Sequence, residues 1–88
     1  MYRVTKRDGT IAEFEISKIT TAITKAFDAM NKQSHPTIID MLALRVTADF
    51  GAKVTDGLIA VEQIQDSVEK VLSEAGYADV AKNYILYR

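Results

Sequence analysis

The chain has 88 residues, and its 11 Lys and Arg against 12 Asp and Glu give a formal charge of −1 at pH 7. This balance argues against a nucleic-acid or anionic-membrane binder, and the lack of Cys excludes disulfides, thiolate metal sites and Cys nucleophiles. No apolar run approaches the about 20 residues of a membrane span, so we expect one soluble, cytoplasmic domain over residues 1–88, without nucleic acid or membrane as partner.

The first 16 residues have the pattern of a β-hairpin. Two runs rich in β-branched and aromatic residues flank Asp8-Gly9, a dipeptide typical of a two-residue type I′ turn. This loop places Val4 opposite Glu13, and neither face of the hairpin is then cleanly apolar. Because a lone two-stranded hairpin is marginal in water, we expect it to lie on another part of the chain or on a ligand.

From Ser17 onward the apolar residues follow a helical period, which predicts four amphipathic helices. We expect Ser17 to cap the first helix and Thr37 to open a capping pattern for the second. The third helix should stop at Gly76, and the fourth covers 77–88. The inward stripes are Ile19, Ala22, Ile23, Ala26, Phe27 and Met30 in the first helix, Ile38, Met41, Leu42, Val46 and Phe50 in the second, Val61, Ile64, Val68, Val71, Leu72 and Ala75 in the third, and Tyr77, Val80, Ala81, Tyr84 and Ile85 in the fourth.

A short apolar run at 58–60 is predicted to be a third strand beside the hairpin. The fold class is therefore α+β, with a four-helix bundle capped by an N-terminal β-hairpin or a three-stranded β lid. The last helix runs to residue 88 without a stop signal. We interpret this as the mark of a domain excised from a longer chain.

The side chains offer little for catalysis. The single His, His35, lies in a connector next to a proline, and the carboxylates fall mostly on predicted polar helix faces, where solvation accounts for them. No P-loop, EF-hand loop or zinc-protease motif occurs. We expect no catalytic residue and no metal site.

Three cations form the one concentrated charge signal. Lys6 and Arg7 lie at the predicted hairpin tip, and Lys18 lies in the first turn of a helix, where the macrodipole disfavours a cation. With the free N–H groups of a helix N-terminus, these side chains are suited to a polyphosphate. Lys6 and Arg7 are equally consistent with charges that protect an edge strand from aggregation, and the residues alone leave both interpretations open.

Apolar residues near these cations have two interpretations as well. Val4 and Ile19 fit either core packing or an adenine-sized slot between the hairpin and the first helix. Glu15, at the junction of hairpin and helix, is either a solvated charge or an acceptor for an exocyclic amine.

Four segments in order resemble the ATP-cone domain: VTKRDG at 4–9, Phe14 with SKI at 17–19, VEQIQDSVE at 61–69, and GYADVAKNYILYR at 76–88. The resemblance covers essentially the whole chain. It implies a three-stranded lid over a four-helix bundle, with ATP or dATP bound between them without hydrolysis and Mg²⁺ carried by the nucleotide. It also implies a regulatory module of a ribonucleotide reductase, in particular an anaerobic ribonucleoside-triphosphate reductase, in which the nucleotide sets oligomerisation and activity.

Carried over position by position, the family's binding residues fall on both the hairpin and the helices. The phosphate-binding cations are Lys6, Arg7 and Lys18, the base and sugar pocket includes Val4, Thr5 and Ile19, the position that in some members hydrogen-bonds adenine is Glu15, and the ribose contacts are Val61 and Gln65. Some members carry a hydroxyl and an imidazole at the ribose positions. The implied partners are an adenine nucleotide and the rest of the parent reductase chain or its oligomer.

An alternative from another class is a protein-docking or dimerisation module that has lost nucleotide binding. The hairpin edge or a bundle face would then bind another chain, and nucleotide would leave the stability of the domain unchanged. The presence of Lys6, Arg7 and Lys18 favours a nucleotide-binding domain.

Overall fold

The computed structural model describes residues 2–87, in which four helices form a bundle and three short strands form one sheet. The elements are β1 (Arg3–Thr5), β2 (Ile11–Glu13), α1 (Ile16–Ala29), α2 (Pro36–Gly51), β3 (Leu58–Ala60), α3 (Val61–Glu74) and α4 (Ala78–Tyr87). The strand order is β2-β1-β3, with β1 antiparallel to β2 and parallel to β3. The predicted α+β class, including the third strand, is confirmed.

The hairpin turn is longer than the predicted two-residue loop. The backbone N–H of Lys6 donates to the Thr10 carbonyl at 2.7 Å, and the N–H of Gly9 donates to the Lys6 carbonyl at 3.0 Å. Gly9 has a φ of +88°, but Asp8 does not share the positive φ that a type I′ turn would require of both residues. Instead the Asp8 carboxylate accepts hydrogen bonds from the hydroxyl and the N–H of Thr10, at 2.7 and 3.0 Å. These bonds brace the turn and hold the pKa of Asp8 below its usual value.

This turn shifts the strand register by one residue and separates the two faces of the hairpin. Val4 lies opposite Ala12, not opposite Glu13 as predicted. The inner face, which packs toward the bundle, carries Tyr2, Val4, Ala12 and Phe14. Ile11, which the predicted register placed on the same face as Val4, is 53% exposed on the outer face. A one-residue slip exchanges the faces of a strand, and the observed register puts the apolar set inside.

An aromatic cluster holds the sheet on the bundle. The ring of Phe50 in α2 is fully buried, and its centroid lies 5.4 Å from that of Phe14 and 5.8 Å from that of Tyr2, both in edge-to-face geometry. The buried apolar core comprises Ile19, Ile23, Ala26, Phe27, Ile39, Leu42, Ala43, Val46, Phe50, Ile59, Ile64, Val68, Val71, Leu72, Val80 and Ala81.

Both predicted N-caps are wrong. The first helix begins at Ile16 with Glu15 as its N-cap, because the Lys18 N–H already closes the first turn onto the Glu15 carbonyl at 3.1 Å. The second begins at Pro36 with His35 as its N-cap. Proline has no N–H to leave unpaired there and its fixed φ suits the first helical position, which leaves Thr37 inside the helix.

Other helix features agree with prediction only in part. The stop of α3 at Gly76 is confirmed: φ is +92° there, and the following N–H of Tyr77 donates to the Leu72 carbonyl at 2.9 Å. The fourth helix begins at Ala78, and residue 88, where its end was predicted, lies outside the described residues. Three residues predicted to face inward are more than a third exposed: Met30 at 37%, Met41 at 50% and Ile85 at 39%.

Candidate functional site

A cavity of about 170 Å³ lies between the inner face of the hairpin and the bundle. We call it the lid cleft. Its apolar walls are Val4, Ala12 and Phe14 from the hairpin, Ile19 and Ala22 from α1, Val61, Ile64 and Val68 from α3, and Tyr84 from α4, and its polar lining residues are Lys6, Glu13, Glu15, Lys18 and Gln65. An engineered cavity of about 150 Å³ binds benzene. The lid cleft is therefore large enough for an aromatic ring system.

The structure gathers most of the predicted binding residues at this one place. Val4, Lys6, Glu15, Lys18, Ile19, Val61 and Gln65 all line the lid cleft. Arg7 lies outside the lining, and its side chain reaches α3 instead. Thr5 is not among the lining residues either, because it follows Val4 in β1 and its side chain takes the opposite face of the strand.

Several lining residues were not predicted as part of the site. They are Ala12, Glu13, Phe14, Ala22, Ile64, Val68 and Tyr84. The helical members have the spacing of core residues, and nothing in that spacing separates a cavity wall from a packed core. The turn offers a partial signal for Ala12 and Phe14, since a Thr two residues after Asp8 can hydrogen-bond its carboxylate and favour the observed register.

Arg7 joins the hairpin turn to α3. Its Nη2 donates to Gln65 Oε1 at 2.9 Å, and its Nε lies 3.6 Å from Glu62 Oε2. Glu62 and Gln65 are three residues apart, so they lie on one face of the helix. The side chains of Arg7 and Glu62 are 57% and 55% exposed. Glu62 was not predicted as part of the site, and more than half of the sequence separates it from Arg7.

Lys18 lies in the first turn of α1, as predicted, and has a carboxylate beside it. Its Nζ is 3.5 Å from Glu15 Oε2, and both side chains are about 60% exposed, at 63% and 59%. The first turn of α1 contains no acidic residue, and its N-terminus receives no side-chain hydrogen bond. Exposed ion pairs of this length contribute little to stability. A more highly charged anion that bonds to the ammonium can therefore replace Glu15 as its partner.

The sheet order bears on one of the two interpretations of Lys6 and Arg7, the protection of an edge strand. These residues follow β1, which is the central strand, whereas the edges of the sheet are β2 and β3. Protection of an exposed edge strand is therefore not the reason for this pair of cations.

Two wider depressions adjoin the lid cleft. A groove of about 460 Å³ shares Ala22, Gln65 and Tyr84 with it and continues to Lys25 and Asn83. A shallower one of about 280 Å³ runs along α1 from Lys18 to Lys25. A ligand with its ring in the lid cleft thus has room outside it for a longer polar portion, next to basic side chains.

Neither a metal site nor a membrane-spanning helix is found in the part of the chain that the structure describes. Residues 2–87 contain no group of three or more His, Cys, Asp or Glu placed to hold a metal ion. None of the helices in that range combines the length and the apolar character needed to cross a membrane. His35 is exposed at the start of α2.

Fold and site together define a class: a small α+β domain in which a three-stranded lid covers a ring-sized apolar cleft on a four-helix bundle. The sequence matches the family model of the ATP cone domain over residues 2–88, and the chain belongs to that family. The resemblance of the four sequence segments is thereby confirmed.

Similar proteins are ribonucleotide reductases from distant organisms. The chain is 45% identical over 91 residues to a ribonucleoside-diphosphate reductase subunit alpha of Chlamydia pneumoniae, an alignment that covers 97% of this chain and 9% of the relative. It is 43% identical over 90 residues to a vitamin B12-dependent ribonucleoside-diphosphate reductase of Thermoplasma acidophilum, covering 97% and 11%. It is 37% identical over 90 residues to an anaerobic ribonucleoside-triphosphate reductase of Haemophilus influenzae, covering 99% and 12%. The chain thus spans about a tenth of the length of these relatives.

Proposed function

We propose that this domain binds ATP or dATP in the lid cleft, without hydrolysis, as the allosteric effector module of a cytoplasmic ribonucleotide reductase. The observation that carries the proposal is an apolar cleft of ring size that Lys6 and Lys18 line from two separate elements, with Arg7 bonded to Gln65 of the same lining. The reductase relatives support the context in which such a module acts.

The adenine base fits the apolar part of the lid cleft. Val4 from β1 and Ile19 from α1 lie on its two sides, and Ile19 is only 5% exposed. Burial of flat apolar ring surface between such side chains is favourable. Glu15 lines the same cleft and carries only acceptor oxygens when ionised. It is the group we assign to the exocyclic amine.

The phosphates lie at the border, where the three cations are. Lys6 makes no ion pair within 4 Å among residues 2–87, and it lines the lid cleft directly. Lys18 adds its ammonium at the N-terminus of α1, where backbone N–H groups favour an anion. A triphosphate offers more charge and more acceptor oxygens than a single carboxylate, so it can replace Glu15 at Lys18. We expect Mg²⁺ to bind as part of the nucleotide complex.

The sugar lies between base and phosphates, near Val61 and Gln65 at the start of α3. Because Gln65 Oε1 accepts from Arg7, its amide N–H groups remain as donors for a ribose oxygen. We assign Thr5 only an indirect part, since its pairing with β2 and β3 holds β1 in place over the lid cleft.

We attribute the regulatory effect of the nucleotide to the small size of the lid, which limits its attachment to the bundle. Each strand of the sheet has three residues, and the hairpin tip contacts the bundle through the exposed side chain of Arg7. A nucleotide that contacts both hairpin and bundle therefore stabilises one arrangement of the two. We propose that residues 1–88 are one domain of a longer reductase chain and that its other parts, or its oligomer, respond to this arrangement.

A thermal-shift titration with Mg-ATP and Mg-dATP tests the proposal. A ligand at 100 times its dissociation constant stabilises the fold by about 2.7 kcal/mol, which for a domain of this size raises Tm by roughly 10–20 °C. Melting curves that stay unchanged up to millimolar nucleotide would contradict it. They would favour the alternative, a protein-docking or dimerisation module.

Single-charge variants test the phosphate contacts. Lys6→Ala or Lys18→Ala should weaken ATP binding by about 10- to 100-fold, the value of a lost charge-assisted hydrogen bond, and leave adenosine binding nearly unchanged. Lys53→Ala, which removes an exposed Lys that does not line the lid cleft, is the matched control. Calorimetry that found equal losses for ATP and adenosine would rule out the phosphate role.

A further inference from the structure

Glu62 lies outside the lid cleft but contacts a cation at its border. We infer that its carboxylate is an internal competitor for the phosphates of the ligand: it occupies the Arg7 guanidinium in the free domain and must give it up when nucleotide binds. This inference rests on the proposed function. It assigns Glu62 a role in setting nucleotide affinity.

The guanidinium edge of Arg7 that could bind a phosphate contacts an amide and a carboxylate of α3 instead. Guanidinium binds phosphate and carboxylate best through two adjacent N–H groups. Arg7 directs Nη2 to Gln65 Oε1 at 2.9 Å and Nε toward Glu62 Oε2 at 3.6 Å. The neutral amide satisfies one donor. The carboxylate provides the charge, at a distance too long for a strong hydrogen bond.

The exposure of this pair shows that it can be broken at low cost. Arg7 and Glu62 are 57% and 55% exposed, so water can solvate both groups when they part. Arg7 has five N–H donors, so its bond to Gln65 can remain when a phosphate replaces Glu62. The predicted consequence is an affinity lower than the three cations alone would provide.

The size of the effect follows from the value of an exposed ion pair. Such pairs change an equilibrium by up to about fivefold, and a ligand that must break one loses that factor. Glu62→Gln keeps the shape of the side chain and removes its charge. We therefore expect it to lower the ATP dissociation constant by about two- to fivefold and to leave adenosine binding unchanged.

Glu74→Gln is the matched control for the loss of one negative charge. Glu74 is an exposed residue at the last position of the same helix. It lies about 18 Å along the axis from Glu62, more than two Debye lengths of about 8 Å at 0.15 M salt. Its removal should change ATP affinity by less than about 1.5-fold.

Calorimetric titration of Mg-ATP and adenosine into the wild-type, Glu62→Gln, Glu74→Gln and Arg7→Gln proteins, and into the Arg7→Gln/Glu62→Gln double variant, tests the inference. The inference requires that Glu62→Gln tighten ATP binding in the wild-type background and have no effect in the Arg7→Gln background. It is overturned if Glu62→Gln matches Glu74→Gln, or if it weakens ATP binding, which would make Glu62 a support for Arg7. Absence of ATP binding to the wild-type protein would instead overturn the proposed function.

Discussion

Replacement of Phe14 by alanine tests how the lid is attached to the bundle. The Phe14 ring packs edge-to-face on the buried ring of Phe50 at 5.4 Å, and it also lies 6.0 Å from the ring of Tyr2. Removal of a fully buried Phe side chain costs about 3–5 kcal/mol. Phe14 is only partly buried, so we expect Phe14→Ala to lower the free energy of unfolding by about 2–3 kcal/mol.

Ile11→Ala is the control from the same hairpin. Ile11 is 53% exposed on the outer face, and truncation of a surface side chain costs about 0.5 kcal/mol or less. The predicted two-residue turn would have placed Ile11 on the same face as Val4, so the pair of variants also tests the register of the hairpin in solution.

Urea and thermal unfolding followed by circular dichroism measure both variants, since the chain has no Trp for fluorescence. The expected loss for Phe14→Ala corresponds to a fall in Tm of roughly 10–20 °C. The protein should still fold, because domains of this size have about 5–10 kcal/mol of stability. A loss below about 1 kcal/mol for Phe14→Ala, or a similar loss for Ile11→Ala, would refute the aromatic attachment of the lid.

Two other predictions concern stability away from the lid cleft. The adjacent Ser67 hydroxyl and the Lys70 ammonium, 3.0 Å from the Asp49 carboxylate, lower the pKa of Asp49 below its usual 3.8. A lowered pKa means that the stabilisation is complete above about pH 4–5 and is lost as the pH falls through the folded-state pKa. As the pH falls below about 4, the difference in free energy of unfolding between wild type and Asp49→Asn should therefore shrink, and a difference that stays constant with pH would contradict this. Gly76→Ala should destabilise by about 1 kcal/mol because φ is +92°. Gly51→Ala should stabilise by up to about 1 kcal/mol, since Gly51 is helical and an added Cβ meets no atom closer than 3.8 Å, and equal signs for the two glycine variants in urea unfolding would show this reasoning to be wrong.

The helices and their order could be predicted from the sequence because their signals are local. Apolar residues at a spacing of three and four place one face of each helix against the core without knowledge of its neighbours. A glycine at position 76 permits the left-handed conformation that ends α3. The prediction was less successful in α2, where Ile38 and Ile39 are both apolar and adjacent. In the folded structure Ile39 is buried in the core, whereas Met41 and Leu44 are 50% and 63% exposed.

The hairpin register depends on more than its turn dipeptide. Asp8-Gly9 favours a type I′ loop when taken by itself. Two other interactions oppose that loop: the hydrogen bonds from Thr10 to the Asp8 carboxylate, and the burial of Phe14 against Phe50, far along the chain. The sum of a local bond and a distant ring contact selects the longer turn, and only the second of these requires the folded structure.

Composition and short-range pattern alone therefore determined the class of the fold, its helices, the presence of a hairpin and the three cations. Tertiary structure decided which strand faces the core, which residues enclose the lid cleft, and that Arg7 meets Glu62 and Gln65, the latter 58 residues away. The physical reason is the distance along the chain over which each kind of interaction acts. Helical period and turn chemistry act over a few neighbouring residues, whereas a cleft and its ion pairs exist only after distant segments have packed together.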